Sequence, residues 1–156
     1  MINIAEIDSN LKVETAIDEP DIKFLDVRTD PFQVYGLFNH KEEPVFKRMP
    51  DDVAEAASEA AARLNLHTAG GRARFTTDSQ YVAIKAAMPY VIKFPHMPLS
   101  GTSGFDLFID EGSSSTYYGT FMPPVGMSGG YESILHFDKP AERKLTINFP
   151  LYNPLN

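Results

Sequence analysis

Two serines in this chain have the neighbours of a nucleophile. Gly126-Met127-Ser128-Gly129-Gly130 satisfies the spacing G-x-S-x-G. A nucleophile elbow places that serine between a strand and a helix, on a strained turn that exposes its hydroxyl. Here Pro123-Pro124 precedes and the strand-like Tyr131-Glu132-Ser133-Ile134-Leu135-His136 follows, so the spacing reads as a Gly-rich loop between strands. Ser79 lies in the polar run Thr77-Asp78-Ser79-Gln80, where short polar side chains bond the nearby backbone, and it reads as a turn-capping residue. His40, His67, His96 and His136 show none of the helical or ribbon spacings of a zinc site. His136 and Asp138, on one predicted strand, are the only ligand-like pair, and neither a metal nor a cofactor is expected.

Aromatic side chains are the other chemical resource, with Phe 11, Tyr 7 and Trp 0. Tyr81, Tyr117, Tyr118 and Tyr131 are the candidates for stacking on a sugar ring, although a β-sandwich buries most of its aromatics. Arg72 and Arg74 point outward from one predicted strand and read as a solvated face.

The elements that must position these residues are mostly strands. After Gly70-Gly71, Ala73 and Phe75 alternate with Arg72, Arg74 and Thr76, the period-two pattern of a strand with one face buried. Past Thr77-Asp78-Ser79-Gln80, Val82, Ile84 and Ala86 alternate with Tyr81, Ala83 and Lys85, and the two runs are predicted to form an antiparallel hairpin at the centre of a sheet. A second hairpin joins Phe105–Asp110 to Thr116–Phe121 through Glu111-Gly112-Ser113-Ser114. Ile22–Val27, Gln33–Phe38, Val45–Pro50 and Tyr90–Phe94 read as further extended runs, and Tyr131–Phe137 and Lys144–Phe149 as the last strands. One helix begins at Asp51-Asp52 and carries a stripe of Val53, Ala56, Ala57, Ala60, Ala61 and Leu64. Its small residues suit close packing on a sheet. Many short strands, Gly/Pro/Ser turns and one short helix predict a mainly β chain, an antiparallel β-sandwich.

The chain has 156 residues and a net charge of -7. That length suits one domain, residues 20–156, after an N-terminal extension at 1–19 whose Ile2, Ile4, Ile7, Leu11 and Val13 have no decisive period. The acidic balance argues against nucleic-acid or anionic-membrane partners, which need basic patches. No window approaches ~18 consecutive apolar residues, and the first eight residues lack the basic and apolar regions of a signal peptide. Cys is absent, which excludes disulfide and thiol chemistry and leaves the compartment open.

Three phrases, in order, carry a resemblance: Arg74-Phe75-Thr76-Thr77-Asp78-Ser79, Gly101-Thr102-Ser103-Gly104-Phe105-Asp106-Leu107-Phe108, and Ile147-Asn148-Phe149-Pro150-Leu151-Tyr152-Asn153. They resemble the N-terminal domain of SGNH/GDSL-type esterases, whose signature reads Gly-x-Asp-Leu-Tyr; this chain has Phe108 at the Tyr. The resemblance implies a jelly-roll-like sandwich placed before a flavodoxin-like hydrolase domain that holds the catalytic Ser-Asp-His set. By that analogy the chain stops at Asn156 where the hydrolase would begin, and is an accessory domain of an esterase, one acting on acetylated carbohydrate. Asp78-Ser79 matches part of the family's Gly-Asp-Ser block, but Thr77 replaces the Gly and no Gly-x-Asn-Asp or Asp-x-x-His follows. The apolar ending then marks Leu151, Tyr152 and Asn153 as the interdomain surface. A free-standing carbohydrate-binding module is the rival reading, and a small hydrolase in its own right the second.

Overall fold

Alternation and turn chemistry place most of the strands. The computed structural model describes residues 15–156; Ile2, Ile4, Ile7, Leu11 and Val13 lie outside the described residues. The elements in order are β1 (Gln33–Tyr35), α1 (Asp51–Ala57), α2 (Glu59–Asn65), β2 (Arg72–Thr77), β3 (Tyr81–Ala87), α3 (Leu99–Ser103), β4 (Phe105–Glu111), β5 (Ser114–Phe121), β6 (Gly130–His136) and β7 (Arg143–Asn148). They form a five-stranded antiparallel sheet, ordered β1-β2-β7-β4-β5, and a two-stranded antiparallel sheet of β3 and β6. The mainly β sandwich expected from the alternation is the architecture found.

Side chains on the five-stranded sheet divide cleanly by parity. Ala73, Ile147 and Leu107 lie side by side on the inner face, as do Phe75, Leu145 and Ile109. Leu107, Leu145 and Phe121 are completely buried, and each such side chain stabilises the fold by roughly 1.5–3 kcal/mol. Val82, Phe105 and Ile147 join them in the core, with Phe75 and Ile84 partly buried against it. The outer face is polar and aromatic: Gln33, Arg74, Thr146, Phe108 and Tyr117 follow one another across it.

The first predicted hairpin does not form. β2 pairs with β1 and β7, whereas β3 pairs with β6 in the other sheet. The link between them is a bend held by side chains: Ser79 N–H donates to Thr77 Oγ1 at 3.2 Å, and Tyr81 N–H to Ser79 Oγ at 3.2 Å. These local bonds re-aim the chain from one sheet into the other. The second predicted hairpin forms as read, with Gly112 at a φ of 61° in its turn and a bulge between Leu107 and Phe108. Ile22–Val27 and Tyr90–Phe94 are not strands.

The single predicted helix is two. Ser58 has an extended backbone, and its hydroxyl accepts from Ala61 N–H at 3.0 Å, so it ends α1 and caps α2. The break redirects the alanine stripe. Val53, Ala56, Ala57, Ala60 and Leu64 face solvent, while Ala54 and Asn65 are buried. Asn65 clamps the preceding segment through Met49, accepting from its N–H at 2.9 Å and donating to its carbonyl at 3.1 Å.

Candidate functional site

The closing stretch Phe149-Pro150-Leu151-Tyr152-Asn153-Pro154-Leu155 is apolar, and its bonds pin it nearly residue by residue. Phe149 N–H donates to Gly71 O at 2.9 Å, Thr68 Oγ1 to Pro150 O at 3.0 Å, and Tyr152 N–H to Thr102 O at 3.1 Å. Beyond these, Phe46 N–H donates to Leu155 O at 2.9 Å and Asn156 N–H to Ala87 O at 3.1 Å. Pro150 and Pro154 are fully buried and fix φ where they stand. Between these anchors Leu151 is turned outward and 51% exposed.

Asn153 works from beneath. Its backbone lies in the left-handed region, at a φ of 72°, which Asn tolerates better than most residues. Its fully buried side chain accepts from Ile92 N–H at 2.6 Å and donates to Ser103 Oγ at 2.8 Å. One amide thereby ties the end of the chain to the irregular 88–98 segment and to α3.

Tyr152, half-buried, continues a row of rings. It lies 5.8 Å from His67 and 5.2 Å from Phe94, which in turn lies 5.7 Å from His96. His67 is buried, and neither ring nitrogen has a hydrogen-bond partner among the described residues. Burial, reinforced by the charges of Arg48 and Arg63, holds its pKa below the usual 6.5. The result is a firmly supported apolar surface: Leu151 at its crest, an aromatic row at its side, and a neutral imidazole underneath.

The signature stretch Gly104-Phe105-Asp106-Leu107-Phe108 lies at the start of β4, and each position has a packing reason. A Cβ on Gly104 would stand 2.3 Å from Ser100 O, so only glycine lets α3 run directly into the strand. Phe105 and Leu107 are buried. Asp106 accepts from Thr120 Oγ1 at 2.6 Å, and Phe108 meets Tyr117 edge-on at 5.7 Å.

The nominal nucleophiles are placed elsewhere. Ser79 accepts from Tyr81 N–H, the capping role read from the sequence. Ser128 is exposed in a loop that runs into β6 with no helix after it. The last glycine of that pattern, Gly130, has a φ of 132°, and a Cβ there would stand 2.1 Å from Ala86 O. Its identity is required by the close approach of β3. His136 Nε2 meets Glu19 Oε1 at 2.8 Å, a partner the spacing to Asp138 does not suggest. Among the described residues there is no cluster of His, Asp or Glu that would hold a metal.

Of the four tyrosines read as stacking candidates, Tyr131 is buried and donates to Ser103 O and Phe121 O. Tyr81 donates to Asp21, and Tyr118 to His136 O. Tyr117 is the most open, at 56% exposed. Among the described residues are an apolar cleft and a polar one. The apolar one, of about 630 Å³, opens where the sheets diverge and is continuous with the core at Phe46, Phe105 and Phe149. The polar one, of about 470 Å³, crosses the outer face of the five-stranded sheet, lined by Gln33, Arg74, Thr76, Asp110, Ser113 and Lys144 among others.

Residues 22–156 match the family described as GxDLY, the N-terminus of Esterase_SGNH_hydro-type. Among solved structures, the chain is similar to a protein described as a GDSL-like lipase from Bacteroides ovatus, at 22% identity and a TM-score of 0.68. It is also similar to the salicylyl-acyltransferase SsfX3 from a tetracycline biosynthetic pathway, at 18% identity and a TM-score of 0.54. The matches cover 80% and 81% of this chain, and 36% of each of those chains. At such identities the likeness shows the fold alone. The chain spans about a third of the length of the solved structures it matches, 36% in both cases. No curated protein matches.

Proposed function

This chain belongs to the family of N-terminal domains of SGNH-type esterases, and from that premise we propose that it is an accessory β-sandwich packed against a hydrolase domain in the same polypeptide. In this reading residues 20–156 form the domain and 1–19 an extension. The contact is made by Leu151 and Tyr152, with Asn153 holding the loop in shape from within. The observation that carries the proposal is the exposed Leu151 on a loop whose neighbours are bonded or buried. A large apolar side chain held rigidly outward beside an aromatic row is what a partner surface needs, since little ordering entropy is lost on contact.

The chemistry would reside in the hydrolase domain. Acyl transfer needs a nucleophile, a base within hydrogen-bond reach and donors aimed at the developing oxyanion. Ser79 has its hydroxyl committed to the backbone, and no hydrogen bond joins Ser128 to a histidine among the described residues. The names of both structural neighbours denote acyl chemistry, a lipase and an acyltransferase, which supports an ester or acyl donor as the parent's substrate class. Acetylated carbohydrate is the substrate we infer, with this domain walling one side of the substrate cleft.

The test compares residues 1–156 with the parent polypeptide on p-nitrophenyl acetate and acetylated xylan. The parent is expected to turn over both, and the isolated chain neither above buffer. Turnover by the isolated chain that is lost in Ser128→Ala would overturn the reading.

A further inference from the structure

The polar cleft on the outer face of the five-stranded sheet stands apart from the Leu151 loop, since Lys144 lies at the start of β7 and Leu151 beyond its end. It lies across β2, β7 and β4, between Pro31 and the β4–β5 turn. Its charged lining residues are Arg74, Lys144 and Asp110, a local excess of positive charge on a chain whose net charge is -7.

These groups are held in place. Arg74 Nε donates to Thr146 Oγ1 at 3.1 Å, and its guanidinium lies 5.7 Å from the Tyr35 ring. Thr146 Oγ1 donates onward to Asp110 Oδ2 at 2.6 Å, and Ser115 Oγ to Asp110 Oδ1 at 2.6 Å. Asp110 thus has a donor on each oxygen. Burial works against its charge, but those two hydroxyls and Arg74 prevail and hold its pKa below the ordinary carboxylate value. Lys144 is exposed and makes no ion pair among the described residues. Gln33, Thr76 and Ser113 add amide and hydroxyl groups of both donor and acceptor type. Beside the cleft stands an aromatic edge: Tyr117 is two positions along β5 from Ser115, and Phe108 faces both Thr146 and Tyr117 across the ladder.

We propose that this cleft binds an acidic saccharide, its carboxylate held by Arg74 and Lys144 and its hydroxyls by Gln33, Thr76 and Ser113. A fixed guanidinium and a free ammonium favour a carboxylate through charge-assisted bonds. The hydroxyl and amide lining suits a polyhydroxylated ring, and Tyr117 offers an apolar edge for its C–H surface. A bare anion would leave the hydroxyl lining unused, and a neutral sugar would leave unmatched the excess positive charge of Arg74 and Lys144 over Asp110, the cross-strand neighbour of Lys144.

Isothermal titration calorimetry on the full chain tests this, with tri-galacturonate, xylotriose and sodium acetate as probes. Tri-galacturonate should bind, with xylotriose and acetate much weaker. Its affinity should fall at least about fivefold in Lys144→Ala and in Arg74→Gln, the loss of one charge-assisted contact each, and stay unchanged in a Lys41→Ala control. Circular dichroism confirms that each variant is folded, and Lys144→Ala carries the test if Arg74→Gln is not. Absence of tri-galacturonate binding, equal binding of xylotriose, equal binding of acetate, or affinity unmoved in the folded variants would each overturn the proposal. So would loss of tri-galacturonate binding in the parent polypeptide, which would make this face a domain contact.

Discussion

Asn153 and Ser103 stand 50 positions apart and meet in a buried hydrogen bond of 2.8 Å, which fixes the last loop of the chain onto α3. Removing it exposes two costs. Asn153→Ala leaves Ile92 N–H without its acceptor and Ser103 Oγ with Thr102 Oγ1 alone, and places a Cβ residue with no compensating amide at a φ of 72°. A loss of about 1–3 kcal/mol in denaturant unfolding is expected for the orphaned groups, with Asn153→Gly milder because glycine accepts that φ at no steric cost. If glycine and alanine destabilise equally, the backbone part of the argument fails.

Core truncations should rank by burial. Leu107→Ala and Leu145→Ala, both fully buried, are expected to cost ~2–5 kcal/mol. Ile84→Ala, only partly buried, should cost less, and Lys85→Ala least of these. Thermal midpoints measured in one buffer check the order; an Ile84→Ala shift as large as that of Leu145→Ala would contradict the register.

His67 supplies a pH dependence with a definite sign. Its folded pKa lies below the free value of 6.5, so the unfolded chain takes up the proton first. Its contribution to stability is therefore complete above about pH 6.5 and falls as pH drops through that value toward the folded pKa. His67→Phe keeps a ring against Tyr152 and removes the titration. The stability difference between wild type and this variant, followed from neutral to acid, should move against the wild type as pH falls. A pH-independent difference would show that His67 is not held neutral by the fold.

Much of this architecture was legible because alternation reports which face of a strand is buried. Phe105, Leu107, Leu145 and Ile147 are inward as their spacing requires. Alternation says nothing about which strand lies alongside. Arg72–Thr77 and Tyr81–Ala87 therefore looked like a hairpin although they belong to different sheets, and the Thr77 and Ser79 side-chain bonds that separate them are common to turns of either kind. The helix from Asp51 reads as continuous because alanine-rich periodicity does not register one extended residue; Ser58, a good N-cap residue followed directly by the acidic Glu59, is the available capping signal. At the candidate site, Leu151 and Tyr152 could be picked out by apolar character alone. The buried role of Asn153, and the partnerless His67 behind Tyr152, depend on contacts with residues far away in the chain and have no local pattern.

Within the G-x-S-x-G spacing, glycine rather than serine should prove indispensable. Gly130→Ala places a Cβ 2.1 Å from Ala86 O at a φ of 132°, and a clear drop in thermal midpoint is expected, on the scale of strained-backbone costs, ~1–3 kcal/mol. Ser128→Ala, at an exposed loop position, should stay within about 0.5 kcal/mol of wild type. A Ser128→Ala variant less stable than Gly130→Ala would reverse this assignment.

The interdomain role of Leu151 is tested most directly by backbone hydrogen exchange of the segment 149–156 and of 90–98, measured in residues 1–156 alone and in the parent polypeptide. Docking of a hydrolase domain on this surface predicts slower exchange of both segments in the parent, reverting toward the isolated-chain rates in a parent carrying Leu151→Asp. Identical exchange in the two forms, with Leu151→Asp changing nothing in the parent, would contradict the account.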